Sequence, residues 1–198
     1  MKIYEDLIQG SPEWLEFRRM HVGASDAATI MGMNPWHTKL QLWQEKCLGW
    51  TKEVNNAMRR GTEMEEQARN AYILQTGRLV LPMVATCEVH PFISASFDGV
   101  SDDFKNIVEI KCGKASHKLA QHGELPRYYM AQVQQQMYVA GVQEMDYFSY
   151  NQIIKPDHSF VEDKIIIPVT LDYEFVEILI EKIKEFWNCV QTNTPPKD

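Results

Sequence analysis

Apolar residues recur at helical spacing near both ends of the chain and at strand spacing in its middle. Short helices are predicted to begin at the capping residues Ser11, Ser25 and Thr38, and the last of them is predicted to end at Gly49. The first fifty residues are therefore predicted to be helical. A longer helix is predicted to follow over residues 62–75.

The pattern changes after Gly77, where β-branched and aromatic residues become frequent. Strands are predicted over residues 79–89, 92–100, 107–112, 145–150 and 164–169. Helices are predicted over residues 127–140, and over 172–190 at the end of the chain, where the pattern is strongly amphipathic. This order predicts an α/β fold in which a mixed central β-sheet is flanked by helices.

The length of 198 residues fits one ordinary domain. We expect a single domain over residues 1–191 and a short tail over 192–198. Within the domain we expect a helical N-terminal part (1–60), a core with the candidate chemistry (61–150), and a C-terminal strand and helix (151–191).

Composition narrows the class of protein. Apolar residues make up 44% and charged residues 24%, which argues against disordered, collagen-like and coiled-coil chains. The net charge of −7 is unfavourable for coating nucleic acid, so a polyanionic partner must be held locally. No apolar run is long enough for a membrane span and the four cysteines form no close pair, so we expect a cytoplasmic protein with reduced thiols.

Three charged residues on two neighbouring strands carry the candidate chemistry. Glu109 and Lys111 lie two residues apart, so they project from one strand face, roughly 7 Å apart. Asp98 ends the preceding strand and can come alongside them. Carboxylates and a backbone carbonyl are hard oxygen donors that suit Mg²⁺, and a lysine beside the metal can orient or deprotonate water. The group therefore favours metal-assisted phosphodiester hydrolysis.

Simpler interpretations exist for each of these residues. A Glu-x-Lys pair on a strand is commonly a solvent-facing ion pair. Glu65 could serve only as the acid of a capping box with Thr62, or it could face the sheet and bind metal through water. Gln134 could hold a loop carbonyl, or it could steady Lys111 and a water molecule.

Five separated motifs together form a longer pattern. They are Trp14-x3-Arg18, Gly61-x3-Glu65, Ser96-Phe97-Asp98-Gly99, Glu109-Ile110-Lys111-Cys112 and Tyr129-Met130-Ala131-Gln132-Val133-Gln134. In this order they resemble the lambda-type alkaline exonucleases or YqaJ-like viral recombinases of the PD-(D/E)xK nuclease superfamily. The resemblance runs from about residue 9 to 150, and it departs from the superfamily's motif at Phe97, where a proline is expected.

The resemblance implies a restriction-endonuclease-like core and a processive, Mg²⁺-dependent 5′-to-3′ exonuclease. Such an enzyme digests one strand of linear duplex DNA to mononucleotides and leaves a 3′ overhang. By the same resemblance Mn²⁺ should substitute for Mg²⁺, and Ca²⁺ should bind without supporting turnover. The implied metal ligands are Asp98, Glu109, the Ile110 carbonyl and Glu65, with Lys111 activating water and Gln134 positioning it.

Contacts with DNA are implied outside the metal site as well. Arg18, Ser25 and Ser96 match the family's pocket for a terminal 5′-phosphate, and Met58 falls where the family has an apolar wedge between base pairs. A local excess of positive charge between residues 111 and 130 comes from Lys111, Lys114, Lys118 and Arg127. The last three of these are candidates for contacts with the DNA backbone, although an ordinary solvated loop would look the same.

The resemblance also implies partners and an origin. Family members are ring-shaped homotrimers that thread DNA and work with a single-strand annealing recombinase, in a bacterial cell and encoded by a phage or prophage. Two other functions remain open from the sequence. One is a site- or structure-specific endonuclease with the same catalytic residues, and the other is a non-catalytic module that binds DNA ends.

Overall fold

The structure is a computed structural model that describes residues 1–50, 56–156 and 159–197. For residues 56–58, 60, 62 and 154 it describes the backbone only. A mixed β-sheet of seven strands lies at its centre, as the sequence predicted. The strands are β1 (Lys2–Ile3), β2 (Val22–Gly23), β3 (Leu81–Thr86), β4 (Ile93–Val100), β5 (Ile107–Lys111), β6 (Glu144–Ile154) and β7 (Phe160–Thr170).

Helices cover the sheet on both faces. They are α1 (Pro12–Arg19), α2 (Ala27–Ile30), α3 (Lys39–Leu48), α4 (Asn56–Thr76), α5 (Lys114–Ala120), α6 (Arg127–Ala140) and α7 (Tyr173–Gln191). A 3₁₀ turn over Ala24–Asp26 precedes α2. Capping fixes several starts: Ser11 caps α1, Thr38 forms a capping box for α3, and Asp172 caps α7.

The two faces of the sheet bury different groups of residues. On one face, Ala68, Ala71 and Tyr72 of α4 pack against Val108 and Phe148 of the sheet. On the other face, α2, α3, α6 and α7 share a larger apolar core with β3, β4 and β6. Among the described residues, no helix is long and apolar enough to cross a membrane.

The sheet runs in the order β1-β3-β4-β5-β6-β7, and β2 is attached to β4. The pairs β3–β4, β4–β5 and β6–β7 are antiparallel, whereas β5–β6 and β2–β4 are parallel. This mixture reflects the long connection through α5 and α6, which returns the chain parallel to β5.

Several elements differ from the sequence prediction. The short strands β1 and β2 and the helix α5 have too few residues to show a period, and they were missed. Helix α4 is already formed at Asn56, so Thr62 lies inside it and the capping box with Glu65 was wrong. Strands β6 and β7 extend into a longer hairpin than predicted, because they pair with each other along eleven residues.

Candidate active site

The edge of β4 that faces β5 is only partly paired. Strand β3 occupies the other edge of β4 along most of its length. On the open edge, β2 pairs with residues 93–94, and β5 pairs only with Gly99 and Val100. Strands β4 and β5 therefore separate at Asp98, and a gap opens between them.

Side chains take the place of the missing strand along this gap. The carbonyl oxygens of Ser94 and Ser96 accept hydrogen bonds from Gln135 and Gln136, at 3.0 and 3.3 Å. The Asp98 carbonyl accepts one from the Arg69 guanidinium. Because buried carbonyls need partners, these side chains allow β4 to end its pairing without a loss of hydrogen bonds.

The carboxylate of Asp98 reaches across the gap to β5. Its Oδ2 accepts a hydrogen bond from the Ile110 N–H at 2.7 Å. Burial, and then the negative charge of Glu109, raise the pKa of Asp98 well above its ordinary value, although Lys111 opposes the shift. Asp98, Glu109 and Lys111 are thus together, as their spacing predicted.

Glu109 is fully buried and holds three donors. Lys111 donates to Oε1 and forms an ion pair with it. Gln132 also donates to Oε1, and Gln136 donates to Oε2. Burial of a carboxylate is costly unless its oxygens have hydrogen-bond partners, and these three donors supply them.

Lys111 is largely buried beside these acids, with its ammonium 4.8 Å from the centre of the Tyr129 ring. Burial alone would lower the pKa of this ammonium, but Glu109 and Asp98 outweigh it and raise the pKa above its ordinary value. The lysine is therefore charged in this arrangement, contrary to the lowered pKa that a role as general base would need.

Glu65 approaches the same group from α4, on the other face of the sheet. Its Oε1 accepts a hydrogen bond from Arg69 at 2.7 Å. Burial raises the pKa of Glu65; the positive charges of Arg69 and Lys111 lower it, and the negative charge of Glu109 raises it further. Arg69, which sequence analysis missed, therefore joins Glu65 to the backbone of Asp98. Its position four residues after Glu65 was the available signal.

The position of Gln134 corrects a sequence prediction. Its Nε2 donates to the Thr170 carbonyl at 2.9 Å, and its Oε1 accepts from the Asp172 N–H at 2.8 Å. It holds the connection between β7 and α7 and has no contact with Lys111. Gln132 and Gln136 contact Glu109 instead, because each lies about 160° around the helix from Gln134.

The residues of the predicted phosphate pocket also lie together. The Arg18 guanidinium donates to Ser25 Oγ at 2.8 Å and stacks on the Trp14 ring, with its carbon 4.8 Å from the ring centre. The Trp14 indole N–H donates to Ser96 Oγ at 2.9 Å. Trp14 thus links the two halves of the pocket. Ser96 is two residues from Asp98, which puts the pocket next to the acids.

A buried ion pair supports this pocket. Lys46 Nζ donates to Asp26 Oδ2 and to the carbonyls of Arg18 and His21, each at 2.7 Å. Asp26 also lies 3.5 Å from the Arg18 guanidinium. Lys46 and Asp26 are 6% and 5% exposed, so their charges rely on each other. Sequence analysis did not single out either residue for this role.

The remaining predicted residues have less definite surroundings. Lys114 and Lys118 are exposed on α5, and Arg127 is exposed at the first residue of α6. Met58 lies in the first turn of α4, but its side chain is outside the described residues.

The acids fit a divalent metal ion in their chemistry. Asp98, Glu109 and Glu65 offer hard oxygen donors. Burial is the main cause of the raised pKa values of Asp98 and Glu65, and the negative charge of Glu109 raises both further, so a cation beside these groups would favour their charged forms. Among the described residues, no three acid, histidine or cysteine side chains form a ready metal-binding group. Both Glu109 oxygens are held by Lys111, Gln132 and Gln136.

Comparison with solved structures defines the class of protein. The alkaline exonuclease LHK-Exo from Laribacter hongkongensis is 27% identical, with a TM-score of 0.73 over 92% of this chain and 94% of that one. The structure of LHK-Exo in complex with dAMP is 26% identical, with a TM-score of 0.75 over 92% of this chain and 94% of that one. A phage-related exonuclease from Haemophilus somnus 129PT shares the fold at 19% identity and a TM-score of 0.62, over 90% of this chain and 95% of that one. The fold is that of the alkaline exonucleases.

Sequence comparison gives the family. The family model of the YqaJ-like viral recombinase domain matches residues 13–143, and the chain belongs to this family. The uncharacterized protein YqaJ of Bacillus subtilis (strain 168) is 29% identical over 182 residues. This match covers 89% of the chain and 55% of YqaJ, so the chain spans about half the length of that relative. The resemblance seen in the motifs is thereby confirmed.

Proposed function

We propose that the protein is a Mg²⁺-dependent 5′-to-3′ exonuclease that digests one strand of linear duplex DNA to mononucleotides and leaves a 3′ overhang. The observation that carries the proposal is the meeting of Asp98, Glu109, Lys111 and Glu65 where β4 and β5 separate. Membership of the YqaJ-like family and the alkaline exonuclease fold support it.

The metal would be held by Asp98, Glu109 and the Ile110 carbonyl, with Glu65 assisting through water. The ion would supply Lewis-acid stabilisation of the scissile phosphate and a more acidic bound water. The Lys111 ammonium would hold the attacking water and balance the charge that develops on the phosphate. Gln132 and Gln136 would fix the Glu109 carboxylate, whereas the sequence had assigned Gln134 to position the water.

The pocket of Arg18, Ser25 and Ser96 would take the terminal 5′-phosphate. A guanidinium and two hydroxyl groups are suitable donors for a phosphate. Ser96 and Asp98 are two residues apart on β4, roughly 7 Å, which is comparable to the distance between successive phosphates of one DNA strand. This spacing supports removal of one nucleotide at a time. LHK-Exo has been crystallised with dAMP, a mononucleotide.

The wider function rests on the family resemblance. We include in the proposal a homotrimeric ring, processive digestion, an apolar wedge at Met58, and an annealing recombinase that takes up the 3′ strand. Lys114, Lys118 and Arg127 would contact the DNA backbone, and their exposure supports this role.

A digestion assay tests the proposal. Linear, 5′-phosphorylated duplex DNA is incubated with the protein in Mg²⁺, in Mn²⁺, in Ca²⁺ and in EDTA. We expect mononucleotides in Mg²⁺ and Mn²⁺ only. Closed circular DNA serves as the control: nicking would indicate an endonuclease, and binding of ends without release of nucleotides would indicate a non-catalytic module. Either result would overturn the proposal.

A further inference from the structure

An open groove lies beside the candidate active site, and Lys114 and Lys118, two of the proposed DNA contacts, are part of its lining. Its volume is about 540 Å³, and it lies between α5 and the outer half of β6. Its lining residues are Lys114, His117, Lys118, Gln121, Asn151, Gln152 and Ile153. Two ammonium groups make this lining basic, and the carboxamides of Gln121 and Asn151 add hydrogen-bond donors, which suits an anion more than an apolar ligand.

The groove is adjacent to the catalytic lysine. Lys114 follows Lys111 by three residues, at the point where β5 ends and α5 begins. On β6, Ser149 pairs with Lys111, and Asn151 is two residues further along. Three residues span at most about 10 Å, so the groove begins within roughly 10 Å of Lys111. This distance corresponds to one or two nucleotides along a DNA strand.

A buried cluster anchors α5 as the wall of the groove. His117 is 3% exposed, its Nδ1 lies 2.8 Å from Ser149 Oγ, and its Nε2 lies 3.0 Å from Asp163 Oδ2. Gln121 also donates to Asp163, at 3.0 Å. These residues resemble a serine-histidine-aspartate triad, but Ser149 is fully buried and no substrate can reach it. The cluster therefore serves to fix α5 against β6 and β7.

The order of strands indicates which part of the DNA would occupy the groove. The proposed 5′-phosphate pocket lies on the β4 side of the acids, through Ser96. Strand β6 and α5 lie on the opposite side of β5. A strand that is held by its 5′ end at β4, is cut between β4 and β5 and keeps this direction continues past β5 with its 3′ part.

We propose that this groove binds the second and third phosphates on the 3′ side of the scissile bond, in the strand that is being digested. Lys114 and Lys118 neutralise these phosphates. Asn151, which is on the same face of β6 as Ser149, donates hydrogen bonds to the same backbone. Arg127 does not line the groove and is not part of this site. The inference depends on the proposed exonuclease function and adds a defined subsite to it.

The test uses duplexes in which one phosphate is replaced by an uncharged methylphosphonate. A modification at the second or third phosphate on the 3′ side should lower kcat/KM for the first cleavage roughly two- to five-fold, as expected for exposed ion pairs. The Lys114→Ala/Lys118→Ala double variant should cut modified and unmodified duplexes at equal rates. The control Lys105→Ala, an exposed lysine in the turn before β5, should keep the two- to five-fold difference.

The result can contradict the subsite without contradicting the nuclease. Mononucleotide release with no methylphosphonate effect in the wild type, or with an effect that persists in the double variant, would overturn the subsite alone. An effect seen only with the modification in the complementary strand would also overturn it. If no nucleotide is released at all, the proposed function fails. The groove is then tested by binding in Ca²⁺, where the dissociation constant of the modified duplex is compared with that of the unmodified duplex for the wild type, the double variant and the control.

Discussion

The Asp98 carboxylate accepts a hydrogen bond from the Ile110 N–H at 2.7 Å, just beyond the last backbone pair between β4 and β5. A side chain here does what a backbone carbonyl does in a continuous sheet. This side-chain hydrogen bond keeps β5 next to β4, although the backbones of the two strands separate here. It also puts an acidic group at the place where Glu109 and Lys111 meet.

Removing either end of the catalytic group should abolish turnover. Asp98→Ala and Lys111→Ala should each lower kcat by at least about a hundred-fold, because each removes a group that we propose to bind the metal or the attacking water. Thermal unfolding and digestion of linear duplex are the measurements. Lys105→Ala is the control and should keep full activity; substantial activity in either active-site variant of a folded protein would contradict the assigned roles.

The three alternate glutamines of α6 should separate into two kinds. Gln136→Leu should lower kcat roughly ten- to a hundred-fold, as expected for a residue that orients a ligand carboxylate. Gln134→Leu should lower the free energy of unfolding by about 1–3 kcal/mol, because it leaves the Thr170 carbonyl and the Asp172 N–H without partners, and it should keep kcat. A loss of kcat in Gln134→Leu with full kcat in Gln136→Leu would instead support the catalytic role that the sequence predicted for Gln134.

Preference for a 5′-phosphate should depend on Arg18. Arg18→Ala should reduce the ratio of kcat/KM for 5′-phosphate over 5′-hydroxyl ends. The reduction should correspond to about 1–3 kcal/mol, the free energy of a charge-assisted hydrogen bond. Arg19→Ala is a matched control, since Arg19 is the next residue and pairs with Glu16 at the surface. An unchanged ratio in Arg18→Ala would put the pocket elsewhere.

Loss of the buried ammonium should affect the pocket and the fold together. Lys46→Met leaves the Asp26 charge without its main partner and should cost about 3–5 kcal/mol of unfolding free energy. It should also lower the preference for 5′-phosphate ends, because Lys46 holds the carbonyl of Arg18. Urea unfolding and the end-preference assay measure the two effects. Full preference in a destabilised but folded variant would make Lys46 purely structural.

The same ion pair predicts how stability changes in acid. Burial alone would raise the pKa of Asp26, but Lys46 and Arg18 outweigh it and hold the pKa below the ordinary value of 3.8. The unfolded chain therefore binds a proton first, so this stabilisation is complete above about pH 4 and is lost as the pH falls through the lower, folded value. Asp26→Asn should show a weaker fall of unfolding free energy between pH 5 and pH 3, and an unchanged slope would contradict the assignment.

Strand separation by Met58 is tested by substrate type. Met58→Ala should slow digestion of duplex more than digestion of single strands, because an apolar side chain between bases helps to unstack them. Rates on the two substrates at equal protein concentration provide the comparison. Equal slowing on both would remove the wedge.

The sequence by itself determined the class of fold and the membership of the charged group. Glu109 and Lys111 are two residues apart on one strand, and Asp98 ends the strand before it, across a turn. These three side chains can meet only if the two strands are neighbours. The capping residues Ser11 and Thr38 likewise placed α1 and α3 close to their observed starts, and amphipathic spacing did the same for α7. Local spacing carries this information, so no tertiary knowledge was needed.

Only the tertiary structure decided which polar side chains of α6 and α4 serve the site. Gln132, Gln134 and Gln136 are chemically identical, and the helix rotates by about 100° per residue. Their roles therefore depend on how α6 packs between Glu109 on one side and the β7–α7 connection on the other. The spacing of Arg69 from Glu65 indicates only the ion pair between them. The bond from Arg69 to the Asp98 carbonyl forms because β4 and β5 separate at Asp98, a feature of long-range pairing that no local pattern contains.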